Sequence, residues 1–394
     1  MRGHITQRGK DPNSWTIVVS MGKDPATGKR LRHWEAFKGG SREAQKRLSE
    51  LLHQRDTGMI ARPGKTTVAD YLNRWLHDYA KPNLSPRAYE RYEGIVTGHL
   101  IPGIGLTKLG QLRSDHLQKL YAADLDAGLM ARTVRYHHVV IHRALQLALK
   151  WGLVPRNVAD GVDIPRARRP EIQTWNEEEV SAFLGAARRT PYYSLFHLAL
   201  FTGMRRSELL ALRWSDFDLL YCQVSVKRSL HHLDDGSYVY SQPKSAKSNR
   251  TIALSPSAIL ALKQHREREE LDRAMVNQVL ADDDLVFNAL GKPLRPETIS
   301  RAWVNLAKRA GLKPIRLHDA RHTHASLMLK QGIHPKIVQE RLGHSSIAIT
   351  LDTYSHVAPG LQEAAAKRFD DAIASRYNDK AAQEIGLQNG SKSV

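Results

Sequence analysis

The chain has 394 residues, 41% of them hydrophobic, and its 59 lysines and arginines against 40 acidic residues give a formal net charge of +19. This length suffices for two or three domains, and the charge favours a polyanionic partner, most often nucleic acid, over a merely basic solvated surface. No apolar run approaches the roughly 20 residues that cross a bilayer, and the polar start has no signal-peptide core. Since the single cysteine, Cys222, excludes an intramolecular disulfide, we expect a protein of the reducing cytoplasm.

Residues 1–62 are predicted to form a small sheet followed by one helix. Residues 15–20 and 30–37 have the composition of strands, a turn is expected at residues 24–28, and the N-terminal residues before them can supply a third strand. The predicted helix covers residues 41–54, with its first serine as the N-cap.

This first unit is basic and carries aromatic side chains. It contains 13 lysines and arginines against 6 acidic residues, a net charge of +7, and Trp15, Trp34 and Phe37 lie on or near the predicted sheet. A small basic sheet of this kind is suited to binding a DNA groove. The alternative is a structural sheet whose aromatic residues only form its core.

Residues 63–160 are predicted to form a bundle of four short amphipathic helices, because apolar residues recur at helical spacing through them. The third helix is expected to bury Leu117, Leu120, Tyr121 and Leu125. The expected boundaries are Pro82 for the first helix, Ser85 and Pro102 for the second, Ser114 and Gly128 for the third, and Gly152 for the fourth. Residues 161–173, rich in proline and arginine, are expected to be a flexible linker.

Residues 174–378 are predicted to form a mixed α+β unit. Asn176 is an expected N-cap before three glutamates. Further helices are expected at residues 195–202 and 207–213, strands at residues 221–229, 237–241 and 250–254, and helices again afterwards. Asp235 and Gly236 mark a hairpin turn. Residues 379–394 are a polar tail.

Four short motifs follow one another in this last unit. Thr202-Gly-Met-Arg-Arg-Ser-Glu208 comes first, and Leu317-His-Asp-Ala-Arg-His-Thr-His-Ala-Ser326 lies about a hundred residues later; Leu342-Gly-His344 and Thr353-Tyr354-Ser355-His356 end the series. Together they offer two arginines, two histidines and a tyrosine. Because guanidinium groups bind phosphate and stabilise a charged transition state, this set suits attack on a phosphodiester by a phenol without a metal.

This order of motifs resembles the catalytic domain of tyrosine recombinases of the phage-integrase type, over residues 174–364. The resemblance implies a multidomain, mainly α fold with small β-sheets: an N-terminal three-stranded sheet plus helix, a four-helix core-binding bundle and a mixed α+β catalytic domain. It also implies that residues 1–62 form an arm-type DNA-binding domain and residues 63–160 the core-binding domain.

The resemblance implies a role for each residue of the motifs. Arg205 and Arg321 bind the scissile phosphate, which lysine would do less well, and His344 donates a hydrogen bond to it. His318 contacts the same phosphate or assists proton transfer from Tyr354. Tyr354 is the nucleophile, which forms a 3′-phosphotyrosyl bond and releases a 5′-hydroxyl.

Two further contributions are implied. Glu208 orients Arg205 through a carboxylate–guanidinium contact. A lysine in the β-hairpin is expected to be the general acid for the leaving 5′-oxygen; Lys244, in a Pro-Lys-Ser sequence, is favoured, and Lys247 is the alternative.

No metal or other cofactor is expected. His318, His322 and His324 are a rival metal site, since the first two have the i,i+4 spacing that zinc sites use. However, Asp319 occupies the position where H-E-x-x-H has glutamate, and no cysteine completes a ligand set.

The sequence therefore predicts a site-specific DNA recombinase, the integrase of a temperate phage or an integrative element. Its partners would be double-stranded DNA at core and arm sites, three further copies in a tetrameric synapse, a host DNA-bending protein and an excision factor, with no membrane involved. The alternatives are a tyrosine-type DNA topoisomerase, working as a monomer on one duplex, and a non-catalytic DNA-binding regulator on the recombinase fold.

Overall fold

The structure, a computed structural model, describes residues 3–9, 11–23, 28, 30–56, 66–167, 171–241, 249–354, 366–367, 369–371 and 373–374. The chain divides into two compact units, Met1–Arg169 and Pro170–Val394, and the division falls inside the predicted linker. Within the described ranges, no helix combines the length and the apolar character that crossing a membrane requires.

The first unit begins with an antiparallel sheet in the order β1-β2-β3, followed by helix α1. The elements are β1 Gly3–Gln7, β2 Ser14–Lys23, β3 Arg30–Lys38 and α1 Ser41–Asp56. One face of the sheet packs against α1 through Ile17, Val19, Leu48 and Leu51. Ser41 is the first helical residue rather than the N-cap, and the Glu43 carboxylate accepts the N–H of Gly40 instead. Residues 24–27 of the predicted turn lie outside the described residues.

The opposite face of this sheet is basic. Side chains alternate along β3, so that Arg30, Arg32, Trp34 and Lys38 are exposed on the side away from α1. The Trp34 side chain, paired across the strands with Val18, is 60% exposed.

The rest of the first unit is a helical bundle whose first two helices each contain a π-helical turn. The segments are α2 Val68–Trp75, a π turn at Leu76–Ala80 and α3 Lys81–Asn83; then α4 Pro86–Ile95, a π turn at Val96–Leu100 and α5 Ile101–Ile104; and finally α6 Ser114–Asp126 and α7 Ala131–Lys150. Their apolar faces form one core around Trp75, Leu100, Leu117 and Ile141.

The π turns accommodate the two prolines that lie near the predicted helix ends. Pro82 and Pro102 are the second residues of α3 and α5, and the helices end one and two residues after them. Just before each proline, a backbone N–H donates to the carbonyl five residues back, Lys81 to Leu76 in the first helix. Proline has no N–H and crowds the carbonyl four residues earlier, so a wider turn accommodates it.

Helix α6 differs from its prediction in two ways. Ser114 lies inside the helix, and its hydroxyl donates to the Val158 carbonyl at 2.6 Å. The helix also buries Asp124 while Leu125 is exposed, because the Asp124 carboxylate pairs with the buried His137 at 2.7 Å. A hydrogen-bonded carboxylate can occupy a core position that an apolar pattern would assign to leucine.

The second unit contains eight α-helices between Glu177 and Tyr354 and three small antiparallel sheets within the same described part of the chain. The helices are α8 Glu177–Ala187, α9 Tyr193–Thr202, α10 Arg206–Leu209, α11 Pro256–Ala274, α12 Pro296–Arg309, α13 Asp319–Lys330, α14 Pro335–Leu342 and α15 Ile347–Tyr354. The sheets are β4-β5-β8, β6-β7 and β9-β10, with β4 Phe217–Asp218, β5 Gln223–Val226, β6 Ser229–His232, β7 Tyr238–Ser241, β8 Arg250–Ala253, β9 Asn288–Ala289 and β10 Lys292–Pro293.

An aromatic cluster forms the core of this unit. The Trp175 and Trp303 rings stack at 5.1 Å, and Phe183 and Phe196 pack against Trp303. Helix α9 is buried on all sides and packs against α11 and α13. The mainly helical fold with small antiparallel sheets that the sequence predicts is confirmed. Two elements differ in detail: the predicted strand at 221–229 is divided between β5 and β6, and the predicted helix at 207–213 is shortened to α10, which ends at Leu209.

Candidate active site

Gly203, whose backbone is in the left-handed conformation, positions Arg205, the first arginine of the site. Gly203 ends α9 with φ of +64°, and a Cβ at this position would lie 2.6 Å from Leu342 and 2.9 Å from His324. The Gly203 carbonyl accepts a hydrogen bond from Arg321 Nη1 at 2.9 Å. The turn therefore requires glycine, and it brings the residues before α10 next to α13.

Glu208 is a buried carboxylate between two arginines. It accepts from Arg205 Nη1 at 2.7 Å and from Arg250 Nη2 at 2.8 Å. Burial alone would raise the pKa of Glu208, but the hydrogen bonds and charge of Arg250, together with the charge of Arg205, outweigh it and lower the pKa to about 2. Glu208 is therefore ionised at neutral pH and holds both guanidinium groups.

Arg321 is the most deeply buried cation of the site. Its side chain is 3% exposed; Nη1 donates to Gly203, and Nη2 is buried without a hydrogen-bond partner among the described residues. Burial and the neighbouring charge of Arg205 lower its pKa to about 9. A buried cation with an unpaired donor favours a bound anion, because an anion would supply both the missing acceptor and the missing charge.

Tyr354 ends α15 with its side chain 1% exposed. Its hydroxyl lies 2.7 Å from Nδ1 of His322. Burial raises the pKa of Tyr354 to about 12, against the opposing effect of the Arg321 charge. The phenol is therefore neutral at neutral pH, and any reaction through its oxygen requires a proton acceptor.

Two histidines of the motifs lie in the same region. His344 Nδ1 is 2.9 Å from the Thr350 hydroxyl, and burial with the charges of Arg321 and Arg205 lowers its pKa to about 4. His318 is exposed, and its ring lies nearly perpendicular to that of His322, with the two ring centroids 5.4 Å apart. Partial desolvation of the ring, and then the charge of Arg321, lower the pKa of His318. Both imidazoles are thus neutral at pH 7 in this state.

The structure brings most of the predicted site residues into one electrostatically coupled group. The charge of Arg321 acts on the pKa of each of three others, His318, His344 and Tyr354, and Arg205 acts on that of Arg321. Lys244 and Lys247 lie outside the described residues.

Three residues of the site were not predicted from the sequence as members of it. Arg250 binds Glu208 and donates through Nε to the Arg341 carbonyl at 2.8 Å. Arg341 donates to two backbone carbonyls, those of Ala253 and Phe201. His322 contacts the tyrosine. The sequence around Arg250 and Arg341 contains no motif that would predict these contacts. His322, in contrast, is the last residue of the H-x-x-R-H motif.

Two of the three histidines of the rival metal site have separate hydrogen-bond partners. His322 Nδ1 faces Tyr354, and His324 lies between the Leu200 carbonyl, 2.9 Å from Nδ1, and Arg341 Nε, 3.1 Å from Nε2. In the described part of the chain, the group with ligand atoms near enough for one ion is instead His99, Asp124 and His137 of the helical bundle. There the His99 and His137 rings lie 4.3 Å apart between centroids and are tilted by 33°, and their Nδ1 atoms lie 3.7 Å and 2.7 Å from the Asp124 carboxylate oxygens.

Comparison with known protein families matches two parts of the chain. Residues 173–360 match the phage integrase family, and residues 67–123 match the phage integrase N-terminal SAM-like domain. The chain is 26% identical over 377 residues to a XerC-like tyrosine recombinase of Caldanaerobacter subterraneus, covering 91% of this chain and 96% of that protein. It is also 26% identical over 369 residues to the ICEBs1 integrase of Bacillus subtilis, covering 91% and 97%.

Solved structures show the same fold. The Tn1549 transposon integrase in complex with a circular intermediate DNA superposes with a TM-score of 0.66 at 18% identity, over 77% of this chain and 100% of that one. A lambda integrase tetramer bound to a Holliday junction gives a TM-score of 0.55 at 17% identity, over 89% and 94%.

Proposed function

Since the chain belongs to the phage integrase family of tyrosine recombinases, we propose that it integrates and excises a mobile element by breaking and rejoining DNA through a covalent bond to Tyr354. The observation that carries this assignment is the buried Arg321, which has an unpaired guanidinium nitrogen and acts electrostatically on Tyr354. A scissile phosphate beside it would receive charge-assisted hydrogen bonds.

Each residue of the site has a part in the proposed reaction. Arg321 and Arg205 bind the non-bridging oxygens and stabilise the charge of the transition state, with Glu208 holding Arg205 in place. His344, fixed by Thr350, donates a further hydrogen bond to the phosphate. The Tyr354 oxygen attacks phosphorus and forms a 3′-phosphotyrosyl bond.

The leaving 5′-oxygen takes a proton from a lysine that lies between β7 and β8 in the sequence. Lys244 is the proposed acid and Lys247 the alternative, on the basis of the Pro-Lys-Ser sequence. Because the bond energy is kept in the phosphotyrosyl ester, rejoining needs neither ATP nor a metal ion. Attack by a 5′-hydroxyl on the ester then completes the exchange.

The partners of the reaction follow from charge and from the related proteins. The net charge of +19 favours DNA, and the two related structures are of integrases on DNA, one of them a tetramer. We propose a tetramer on two duplexes in the bacterial cytoplasm, with residues 63–160 and 174–378 on core sites and residues 1–62 on arm sites. A host DNA-bending protein and an excision factor would complete the assembly.

The proposal is tested by trapping the covalent complex on nicked suicide substrates that carry candidate attachment sites, in EDTA and without nucleotide. We expect wild-type protein to form a DNA adduct and Tyr354→Phe to bind the same DNA without forming one, since the ring is kept and only the hydroxyl is lost. An adduct in Tyr354→Phe would refute the assignment of the nucleophile. Cleavage that disappears on chelation would return the metal site to consideration, and DNA binding without any adduct would favour the non-catalytic regulator.

The topoisomerase alternative predicts a different product. A monomeric relaxing enzyme would remove supercoils from one plasmid of any sequence, whereas a recombinase would exchange strands between two duplexes carrying its sites. Incubating supercoiled DNA with and without the candidate sites, and examining the products for relaxation against strand exchange, separates the two activities.

A further inference from the structure

His322 contacts the reacting atom of the proposed nucleophile. It follows Arg321 on α13, its ring lies 5.6 Å from that of Tyr354 between centroids, and its Nδ1 is 2.7 Å from the hydroxyl oxygen. Resting on the function proposed above, we propose that His322 is the general base of DNA cleavage, which accepts the Tyr354 proton as the phenolic oxygen attacks the phosphate.

The direction of this hydrogen bond follows from the protonation of the two groups. Burial of His322, together with the neighbouring His318 and Arg321, lowers its pKa to about 4, so that the ring is neutral at pH 7. The Tyr354 phenol is protonated at that pH. The hydroxyl therefore donates to an unprotonated Nδ1, and the ring proton is on Nε2. This is the arrangement that proton abstraction requires.

The other imidazoles of the site are bound or directed elsewhere. His344 Nδ1 is paired with Thr350, and His324 is held between Leu200 and Arg341. His318, which the sequence predicts either to contact the phosphate or to assist proton transfer from Tyr354, makes no hydrogen bond to that tyrosine within the described part of the chain. Among these groups, His322 is the base in contact with the hydroxyl.

A bound phosphate would strengthen His322 as a base. The cationic Arg321 is one of the groups that disfavour an imidazolium at this position. A phosphodiester anion bound by Arg321 offsets that charge, so the pKa of His322 rises on DNA binding and the imidazolium formed by proton transfer is stabilised. Proton abstraction is thereby linked to occupation of the phosphate site.

The proposed step balances in both directions. In cleavage, the Tyr354 proton moves to Nδ1 of His322, the tyrosine oxygen forms a bond to phosphorus, and the bond from phosphorus to the 5′-oxygen breaks. The leaving oxygen takes its proton from a separate acid, the proposed Lys244. In rejoining, the 5′-hydroxyl attacks the phosphotyrosine and gives its proton back to the neutral amine of Lys244. The bond from phosphorus to the tyrosine oxygen breaks, and the imidazolium of His322 returns its proton to that departing oxygen.

The test is His322→Asn, whose amide oxygen can occupy nearly the position of Nδ1 and accept the hydrogen bond but cannot take the proton. Covalent complex formation on the suicide substrate is measured in single turnover from pH 6 to pH 9, beside DNA affinity. We expect His322→Asn to bind DNA like wild type and to cleave at least about a hundredfold more slowly at pH 7. Its rate should then rise about tenfold per pH unit, because solvent hydroxide must remove the proton.

Two controls separate this role from others. A 5′-bridging phosphorothiolate substrate has a leaving group that needs no acid, so it should rescue Lys244→Ala and leave His322→Asn slow. His318→Asn should lose activity through weaker binding of the phosphate, without the steep pH dependence.

Three results would overturn the inference: wild-type rate and pH profile in His322→Asn, rescue of that variant by the sulfur substrate, or the steep pH dependence in His318→Asn instead. Retained DNA binding by His322→Asn excludes misfolding as the cause of a slow rate. A wild-type protein that forms no adduct on any substrate would instead refute the proposed function itself.

Discussion

At the scale of single residues, the site is organised by buried polar groups that fix one another's protonation. Glu208 stays ionised because two arginines hold it. His324 stays neutral because Arg341 Nε can only donate to it, which requires an unprotonated Nε2, while Nδ1 donates to the Leu200 carbonyl. Burial, then the Arg341 charge, lower the pKa of His324 to about 3.

This state of His324 predicts a pH dependence of stability. The folded-state pKa lies below the ordinary value near 6.5, so the unfolded chain binds more protons between these values and stability is lost as the pH falls from 6.5 towards 3. One such histidine contributes a slope of roughly 1.4 kcal/mol per pH unit within that window. We expect His324→Gln, whose amide can both donate and accept without titrating, to remove about that much of the slope.

Hydrogen exchange of the α9 and α13 amides between pH 4.5 and 6.5, corrected for intrinsic rates, measures this local stability. His77, whose side chain is 81% exposed, provides the control, and His77→Gln should leave the slope of wild type. If stability depends on pH in His324→Gln as it does in wild type, the folded state does not lower the pKa of His324.

At the scale of elements, the sequence predicts what depends on local spacing and misses what depends on distant partners. The order of motifs predicts Arg205, Arg321 and Tyr354 as site residues, because each lies inside a short motif that can be read directly from the chain. Arg250 could not be recognised, since its role comes from a carboxylate 42 positions away. Leu125 was wrongly expected to be buried for the same reason: the burial of Asp124 depends on His137 in the next helix.

The turn at Gly203, where α9 ends, affects both the stability of the second unit and the position of Arg321. We expect Gly203→Ala to destabilise the second unit by about 2–4 kcal/mol, from the left-handed backbone and from the clash of the new methyl group with Leu342 and His324. Cleavage should fall as well, because the Gly203 carbonyl holds Arg321.

Gly311 is the matched control for this substitution. It has φ of +71°, similar to Gly203, but a Cβ there would have no heavy atom within 4 Å. Gly311→Ala should therefore cost only the backbone term, about 1 kcal/mol, and should not affect cleavage. Denaturant unfolding and suicide-substrate cleavage of both variants provide the measurements, and equal effects of the two substitutions would contradict the packing argument.

At the scale of the whole molecule, chemistry and DNA affinity are assigned to different parts of the chain. The described residues that we propose for catalysis all lie between Arg205 and Tyr354 in the second unit. Residues 1–62 carry +7 of the net charge of +19 and no candidate for the chemistry. The sheet there exposes Trp34 among basic side chains on the face opposite α1, which is the surface that we assign to arm-site DNA.

Removing residues 1–62 should therefore leave a protein that cleaves core sites but integrates poorly. The removed unit would hold a second DNA segment and so raise the local concentration of protein at the core site. The salt dependence of binding to long DNA should also become shallower, by about 0.9 in the logarithmic slope for each phosphate that the protein no longer neutralises. Full-length protein with Arg32→Ala and Trp34→Ala is the control for the truncation itself, and it should show the same two defects because the proposed DNA-binding face is altered while α1 still covers the opposite face. A truncated protein that integrates as well as the full chain, with the same salt slope, would show that this unit is structural only.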